Sequence, residues 1–266
     1  MAAPEKPGGD IAPDGGRDSW RALAAHTPAR IALGRAGGSL RTESLLELRL
    51  AHAGARDAVH SAFDAAALEK ALQAQGLATE RLATAASDRG TYLARPDLGR
   101  ILEPKSEARL RTRAAAWGTR DLAIIVSDGL SARAAASHAA VTVAELAKVL
   151  TGSGWTLYPI FVVPYARVKF QDAVGAILGA RHSVILLGER PGLSAHDSLG
   201  AYLTYGPGAE RTDADRNCVS NIRGEGLPPS AAARKLAGML IESRRLGLSG
   251  IALRDADGRT DAELPG

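Results

Sequence analysis

The residues best suited to hold a ligand fall in loops rich in glycine, proline and charge. These are DGLSA (Asp128–Ala132), PYARVK (Pro164–Lys169), GERPG (Gly188–Gly192) and the long stretch GPGAERTDADRNCVSNIRGEGL (Gly206–Leu227). Four such loops expected at one edge are a stronger functional clue than any single residue in them. Missing patterns narrow the chemistry further. There is no G-x-G-x-x-G behind a strand and no G-x-x-x-x-G-K-[ST], so neither a dinucleotide nor a nucleoside triphosphate has its usual fingerprint. A G-x-S-x-G elbow is absent too, which argues against a hydrolase. The histidines His26, His52, His60, His138, His182 and His196 form no H-E-x-x-H pair, and none is spaced to share a metal with Cys218, the only cysteine.

Taken singly, these residues have plainer readings. Glu189 followed by Arg190 is an ordinary solvated charge pair at a strand end, or a ligand contact. Cys218 is a small hydrophobe or a contact. Val168 is compatible with a core position, Asp128 with the cap of a following helix, and Arg30 and Arg35 with salt bridges. Residue types and spacing alone support a ligand-binding α/β domain with a helical appendage.

The surrounding elements must bring those loops together. LAIIVSD (Leu122–Asp128) is a continuous apolar run, as a strand buried on both faces requires. LYPIFVV (Leu157–Val163) and SVILLG (Ser183–Gly188) read as further strands, AYLTYG (Ala201–Gly206) as a fourth and GIALR (Gly250–Arg254) as the last. Helical patterns lie between them: one from Ser106, its expected cap, to Trp117 ahead of Gly118; one through Val143, Leu146 and Leu150; one around Val174–Gly179; and one over Ser230–Leu246. The alternation predicts a Rossmann-like, mostly parallel sheet with helices on both faces. In such sheets ligands sit outside the carboxyl ends of strands, which is where the named loops emerge. Ahead of this, residues 20–95 read as a small helical domain. Ser44 and Glu47 suit a capping box, and Asp64 suits the cap of a helix carrying Leu68 and Leu72 that ends at Gly76. The expected division is a disordered leader over 1–19, the helical domain over 20–95, the ligand-binding α/β domain over 96–254 and a flexible tail over 255–266.

Composition sets the broad class. At 266 residues and 45% hydrophobic, the chain can bury a sizeable core, while 4% aromatics and a mixed charge of 33 basic against 29 acidic residues lack the stacking platform of a single-strand nucleic-acid binder. No nucleic-acid partner is expected. One cysteine forbids an internal disulfide, consistent with a reducing compartment. Residues 1–19 have no signal-peptide apolar run, and no stretch has the length of a membrane span. A cytoplasmic, membrane-free protein is therefore expected.

Several strings together carry a more specific message. TPARIALGRAG (Thr27–Gly37), RTESLLELRLAHAGARDAV (Arg41–Val59), YLARPDLGR (Tyr92–Arg100) and VSDGLSARA (Val126–Ala134) are followed by VPYARVKFQDAVG (Val163–Gly175), LLGERPGLSAHDSLGAYLTYGP (Leu186–Pro207) and TDADRNCVSNIR (Thr212–Arg223). In this order they resemble the small, or light, subunit of ethanolamine ammonia-lyase over nearly the whole chain from about Trp20. Gly54, Gly206 and Gly224 depart from the usual pattern. The resemblance implies an adenosylcobalamin-dependent lyase converting ethanolamine to acetaldehyde and ammonia, with a barrel-type large subunit carrying the chemistry and cobalamin held at the interface. It implies a higher-order hetero-oligomer, in the cytoplasm or within a bacterial microcompartment. Val168, Glu189 and Cys218 match the family's cobalamin contacts and are expected together at the ligand edge; no catalytic or metal-ligating residue is expected in this chain. No D-x-H-x-x-G motif occurs, so bound cobalamin is expected base-on unless a partner supplies a histidine. A cobalamin carrier or assembly protein, and a self-sufficient α/β lyase or transferase, are the alternative readings.

Overall fold

The computed structural model describes residues 38–253 continuously and, ahead of them, residues 23, 25–27, 29–31, 33 and 35–36. The expected leader over 1–19 and tail over 255–266 lie outside the described residues, as do Gly34 and Gly37. Contacts divide the chain into two compact units, Met1–Ala53 and Gly54–Gly266. In the first, β1 (Arg35–Ala36) pairs antiparallel with β2 (Ser39–Leu40), and α1 (Thr42–His60) begins. The helix starts ahead of Ser44, so Ser44 does not cap it; its hydroxyl instead donates to the Leu33 carbonyl at 3.4 Å.

The second unit is built on a 6-stranded sheet of order β3-β5-β4-β6-β7-β8. Here β3 is Thr79–Arg81, β4 Leu122–Ser127, β5 Ile160–Val162, β6 His182–Gly188, β7 Leu199–Tyr205 and β8 Arg216–Ile222. The first four in that order run parallel, whereas β7 is antiparallel to both β6 and β8. The sheet is mixed rather than mostly parallel. The physical reason lies in the connections: a parallel return needs a crossover of a dozen or more residues, usually helical. The segment from Glu189 to Ser198 holds no helix, so the chain turns straight back.

Three local expectations change with this. Strand β3 comes from the stretch read as helical. The polar loop after Gly206 contains β8, whose outward polar residues hid its buried Val219 and Ile222. The expected last strand at Gly250 is a short 3-10 turn, Gly250–Ala252, held to β8 by Asn217, which donates to the Gly250 carbonyl at 2.9 Å and accepts from its amide at 2.6 Å.

Helices cover both faces. On one side α2 (Ala65–Ala74), α6 (Ala140–Gly152) and α8 (Pro229–Leu246) enclose Ile124, Val126, Val184, Leu186 and Leu203. On the other, α4 (Pro104–Trp117) and α7 (Phe170–Leu178) enclose Ile125, Phe161, Ile185 and Leu187. The alternation of sides along β4 and β6 is the period-two rule of strands. Several punctuation residues act as expected: Asp64 accepts from the Ala67 amide at 2.9 Å at the start of α2, and Gly118 closes α4 at φ 67°. Ser106 does not cap α4, which begins at Pro104; its hydroxyl accepts from the Ala83 amide at 3.1 Å. A short α3 (Arg89–Ala94) and α5 (Ala132–Ala134), joined to α6 through a π turn at Ala135–Ala139, complete the unit.

His182 starts β6 fully buried, its ring centroid 5.1 Å from those of Trp155 and Tyr205. Burial, with the nearby Arg181 charge, lowers its pKa from 6.5 to about 4. The folded chain holds this imidazole neutral, so its contribution is complete above pH 6.5 and is lost as pH falls toward 4, about 3 kcal/mol in all. Denaturant unfolding of the full chain at stepped pH should show this decline. A His182→Phe variant should lack that component, and an identical pH slope in that variant would contradict the assignment.

Candidate functional site

Strand β4 delivers Asp128 to the carboxyl edge of the sheet, fully buried. A carboxylate there needs partners, and it has them. Its Oδ2 accepts from Arg89 Nη1 at 2.7 Å, and its Oδ1 from the Tyr165 amide at 2.7 Å and the Ser127 hydroxyl at 3.0 Å. Burial outweighs these bonds and holds its pKa above the ordinary carboxylate value. Asp128 therefore does not cap the next helix; Ser131 does, accepting from the Ala134 amide at 3.2 Å. The bond to Tyr165 fixes a non-glycine residue at φ 62°, a conformation that needs such support.

Arg89 also donates to the carbonyls of Val59 and Gly129, each at 2.7 Å. Its guanidinium lies 5.2 Å from the Tyr92 ring centroid, and that of Arg167 lies over the same ring at 4.3 Å. Tyr92 is buried and donates to the Ala166 carbonyl at 3.2 Å; burial raises its pKa to about 12. Two donors in this cluster, Arg89 Nη2 and Arg167 Nε, are buried without a hydrogen-bond partner among the described residues.

The glycines of DGLSA and GERPG serve one another. A Cβ on Gly129 would stand 2.4 Å from the Gly188 carbonyl oxygen, and one on Gly188 would stand 2.0 Å from that of Ser131. Neither loop tolerates a side chain there because the two backbones touch.

The expected contacts Val168, Glu189 and Cys218 come to one side of the sheet but not to one edge. Val168 follows β5, half-buried against the same apolar cluster as Tyr202. Glu189 follows β6, its side chain lying over Gly200 of β7. Cys218 sits within β8, directly opposite Tyr202 and exposed. The edge placement expected for it is thus corrected: it belongs to the open face beside the rim. Tyr202, half-buried between these groups, has its hydroxyl pKa raised by burial and by the neighbouring Cys218 and Glu189.

The segment between β6 and β7 is tied down along its length. Ser131 donates to the His196 carbonyl at 2.7 Å, His138 Nε2 lies 3.0 Å from Asp197 Oδ2, and Arg223 Nη1 donates to the Ser194 carbonyl at 3.4 Å. Burial opposes ionisation of Asp197, yet the His138 bond and charge hold its pKa low. Gly54 explains itself here, since a Cβ would stand 3.0 Å from His196 Nε2. Sequence reasoning missed Arg89, Tyr92, Arg167 and Tyr202 as site residues. Arg89 is 39 positions from Asp128, so no local pattern announces their pairing. Among the described residues no group of three metal-ligating side chains occurs, and no helix is long and apolar enough to cross a membrane.

Comparison with known proteins adds to this geometry. Residues 17–254 match the family model described as ethanolamine ammonia-lyase light chain (EutC). Three relatives carry the name ethanolamine ammonia-lyase small subunit, each 52% identical. That of Xanthomonas campestris pv. campestris aligns over 90% of this chain and 88% of its own length, that of Azotobacter vinelandii over 89% and 88%, and that of Ralstonia nicotianae over 94% and 91%.

Arg89→Met should leave the Asp128 charge buried without its cation, destabilising the chain by about 3–5 kcal/mol at neutral pH. The loss should shrink as pH falls, because a protonated carboxyl no longer needs the guanidinium. Urea unfolding at pH 7 and pH 5 measures both, and a loss of equal size at the two values would contradict the charge argument.

Proposed function

The chain belongs to the ethanolamine ammonia-lyase light-chain family, and from this we infer that it is the small subunit of a carbon–nitrogen lyase that takes ethanolamine to acetaldehyde and ammonia. We read its site as one wall of an adenosylcobalamin pocket whose other wall is the large subunit, in a higher-order assembly of both chains. Within this fold, the Rossmann-like parallel strands supply the rim at Val168 and Glu189, and the antiparallel strands β7 and β8 supply the face beside it at Tyr202 and Cys218.

The donor set suits that group. Cobalamin presents a broad rigid ring bordered by amide side chains and a nucleotide tail. Amide carbonyls need donors, and the rim has two buried ones without partners in Arg89 Nη2 and Arg167 Nε. Amide N–H groups need acceptors, and Glu189 Oε1 has no hydrogen bond among the described residues. The ring needs flat, partly apolar ground, which Val168, Tyr202 and Cys218 offer on one side of the sheet. The half-used Glu189 carboxylate beside the face formed by Val168, Tyr202 and Cys218 is the observation supporting the reading most directly.

When bound, the cofactor supplies the radical that starts the reaction. This chain's share is to hold and orient it. Arg167 is held by its stacking on Tyr92, and Arg89 by Asp128 and the Val59 and Gly129 carbonyls, so the rim is ordered before a ligand arrives; such preorganisation lowers the ordering cost of binding. Val168 and Cys218 exclude water from the ring by contact. The base-on form fits a chain with no D-x-H-x-x-G histidine to displace the nucleotide base.

Glu189→Ala, assembled with the large subunit, should weaken cobalamin affinity by about 1.5–3 kcal/mol, as for bonds to charged groups. A cobalamin titration of equal affinity would remove Glu189 from the site. The chain purified alone should not deaminate ethanolamine and should bind cobalamin only weakly, since half the pocket is absent. Steady turnover by the isolated chain would overturn the subunit assignment.

A further inference from the structure

Gly200 occupies an unusual position for its type. It lies inside strand β7, paired with Leu187 of β6, where glycine weakens a strand unless something approaches closely. Its backbone does not use the left-handed region reserved for glycine, so conformation does not require it. What requires it is Glu189: a Cβ at position 200 would stand 2.7 Å from Glu189 Oε1 and 3.2 Å from both its Cγ and Cδ. The glycine keeps a berth on the sheet surface in which that carboxylate lies.

Two further groups fix the carboxylate in the berth. The Ser198 hydroxyl donates a hydrogen bond to Glu189 Oε2, and the Asn221 backbone amide donates to the same oxygen at 3.4 Å. Ser198 is nearly buried, and Asn221 holds φ 56°, a conformation asparagine tolerates better than most residues. Both donors act on Oε2. Oε1 faces the berth with no donor among the described residues. Strands β7 and β8 therefore converge on one side chain of the β6 end, orienting it with one oxygen engaged and the other open.

We propose that Gly200 and Ser198 are positioning residues that set the Glu189 carboxylate for its ligand, Gly200 by leaving space and Ser198 by its hydrogen bond. This rests on the reading of Glu189 as a cobalamin contact. Neither residue need touch the ligand itself.

The test is a double-mutant comparison read by adenosylcobalamin titration, without substrate, of the complex assembled with the large subunit. Gly200→Ala meets only the end of a flexible side chain, so the fold accommodates it by moving Glu189. It should weaken affinity about tenfold, and Ser198→Ala should do likewise. Ser198→Thr, which keeps the hydroxyl, should restore most of the loss. In a Glu189→Ala background each change should alter affinity less than about twofold, because groups acting through one carboxylate do not add. If Glu189→Ala weakens binding but Gly200→Ala and Ser198→Ala do not, or if their losses multiply with that of Glu189→Ala, the positioning role is overturned while the contact stands. If Glu189→Ala itself binds normally, the contact is wrong and the positioning role falls with it.

Discussion

Burying the Asp128 carboxylate at the end of the central parallel strand is unfavourable unless each of its oxygens finds a donor, and the layout of the ligand rim follows from meeting that demand. Arg89 reaches it from α3, Tyr165 turns its amide in from the loop after β5, and Ser127 closes from the strand itself. Three segments are thereby locked at one point. The same Arg89 reaches back to the Val59 carbonyl, so the end of α1 is registered against the sheet through one guanidinium. Tyr92 stands beneath both arginines as an apolar plate with a single polar tip, satisfied by the Ala166 carbonyl. The ring face offsets part of the cost of desolvating the two cations.

Glycine serves three different ends in this neighbourhood. At Gly129 and Gly188 it lets two loops touch backbone to backbone, so the rim is one body rather than two mobile lips. At Gly54 it admits the imidazole of His196, in the segment between β6 and β7. At Gly200 it makes room for a carboxylate. A sequence rich in glycine near strand ends invites the idea that every glycine clears space for a ligand. Most of that space is taken by the protein itself. What the ligand gains is rigidity in the groups that meet it.

The antiparallel return of β7 and β8 gives the site its shape. Had the chain continued the parallel pattern, a helix would cover the face on which Glu189, Tyr202 and Cys218 lie. Instead α7 covers Ile185 and Leu187, and the surface beyond is left half-open. The family to which the chain belongs is that of a light chain.

Local patterns in the chain announced the buried strands β4 and β6, the helices α4, α7 and α8, the start at Asp64, the stop at Gly118 and, through the order of its strings, the family. These depend on neighbours in the chain: apolar runs, caps and glycines report local preference directly. The sequence also placed Glu189 and Val168 near the strand ends, because a loop following a parallel strand must emerge there. Long-range packing settled the rest: that β7 turns back, that RNCVSNI is a strand, that Cys218 lies on a face rather than an edge, and that Asp128 takes Arg89 instead of a helix terminus. Each of these joins residues far apart in sequence, and their choice was made by burial: a polar strand is recognised only once it has a sheet to border, and a charge finds its partner only when folding removes it from water.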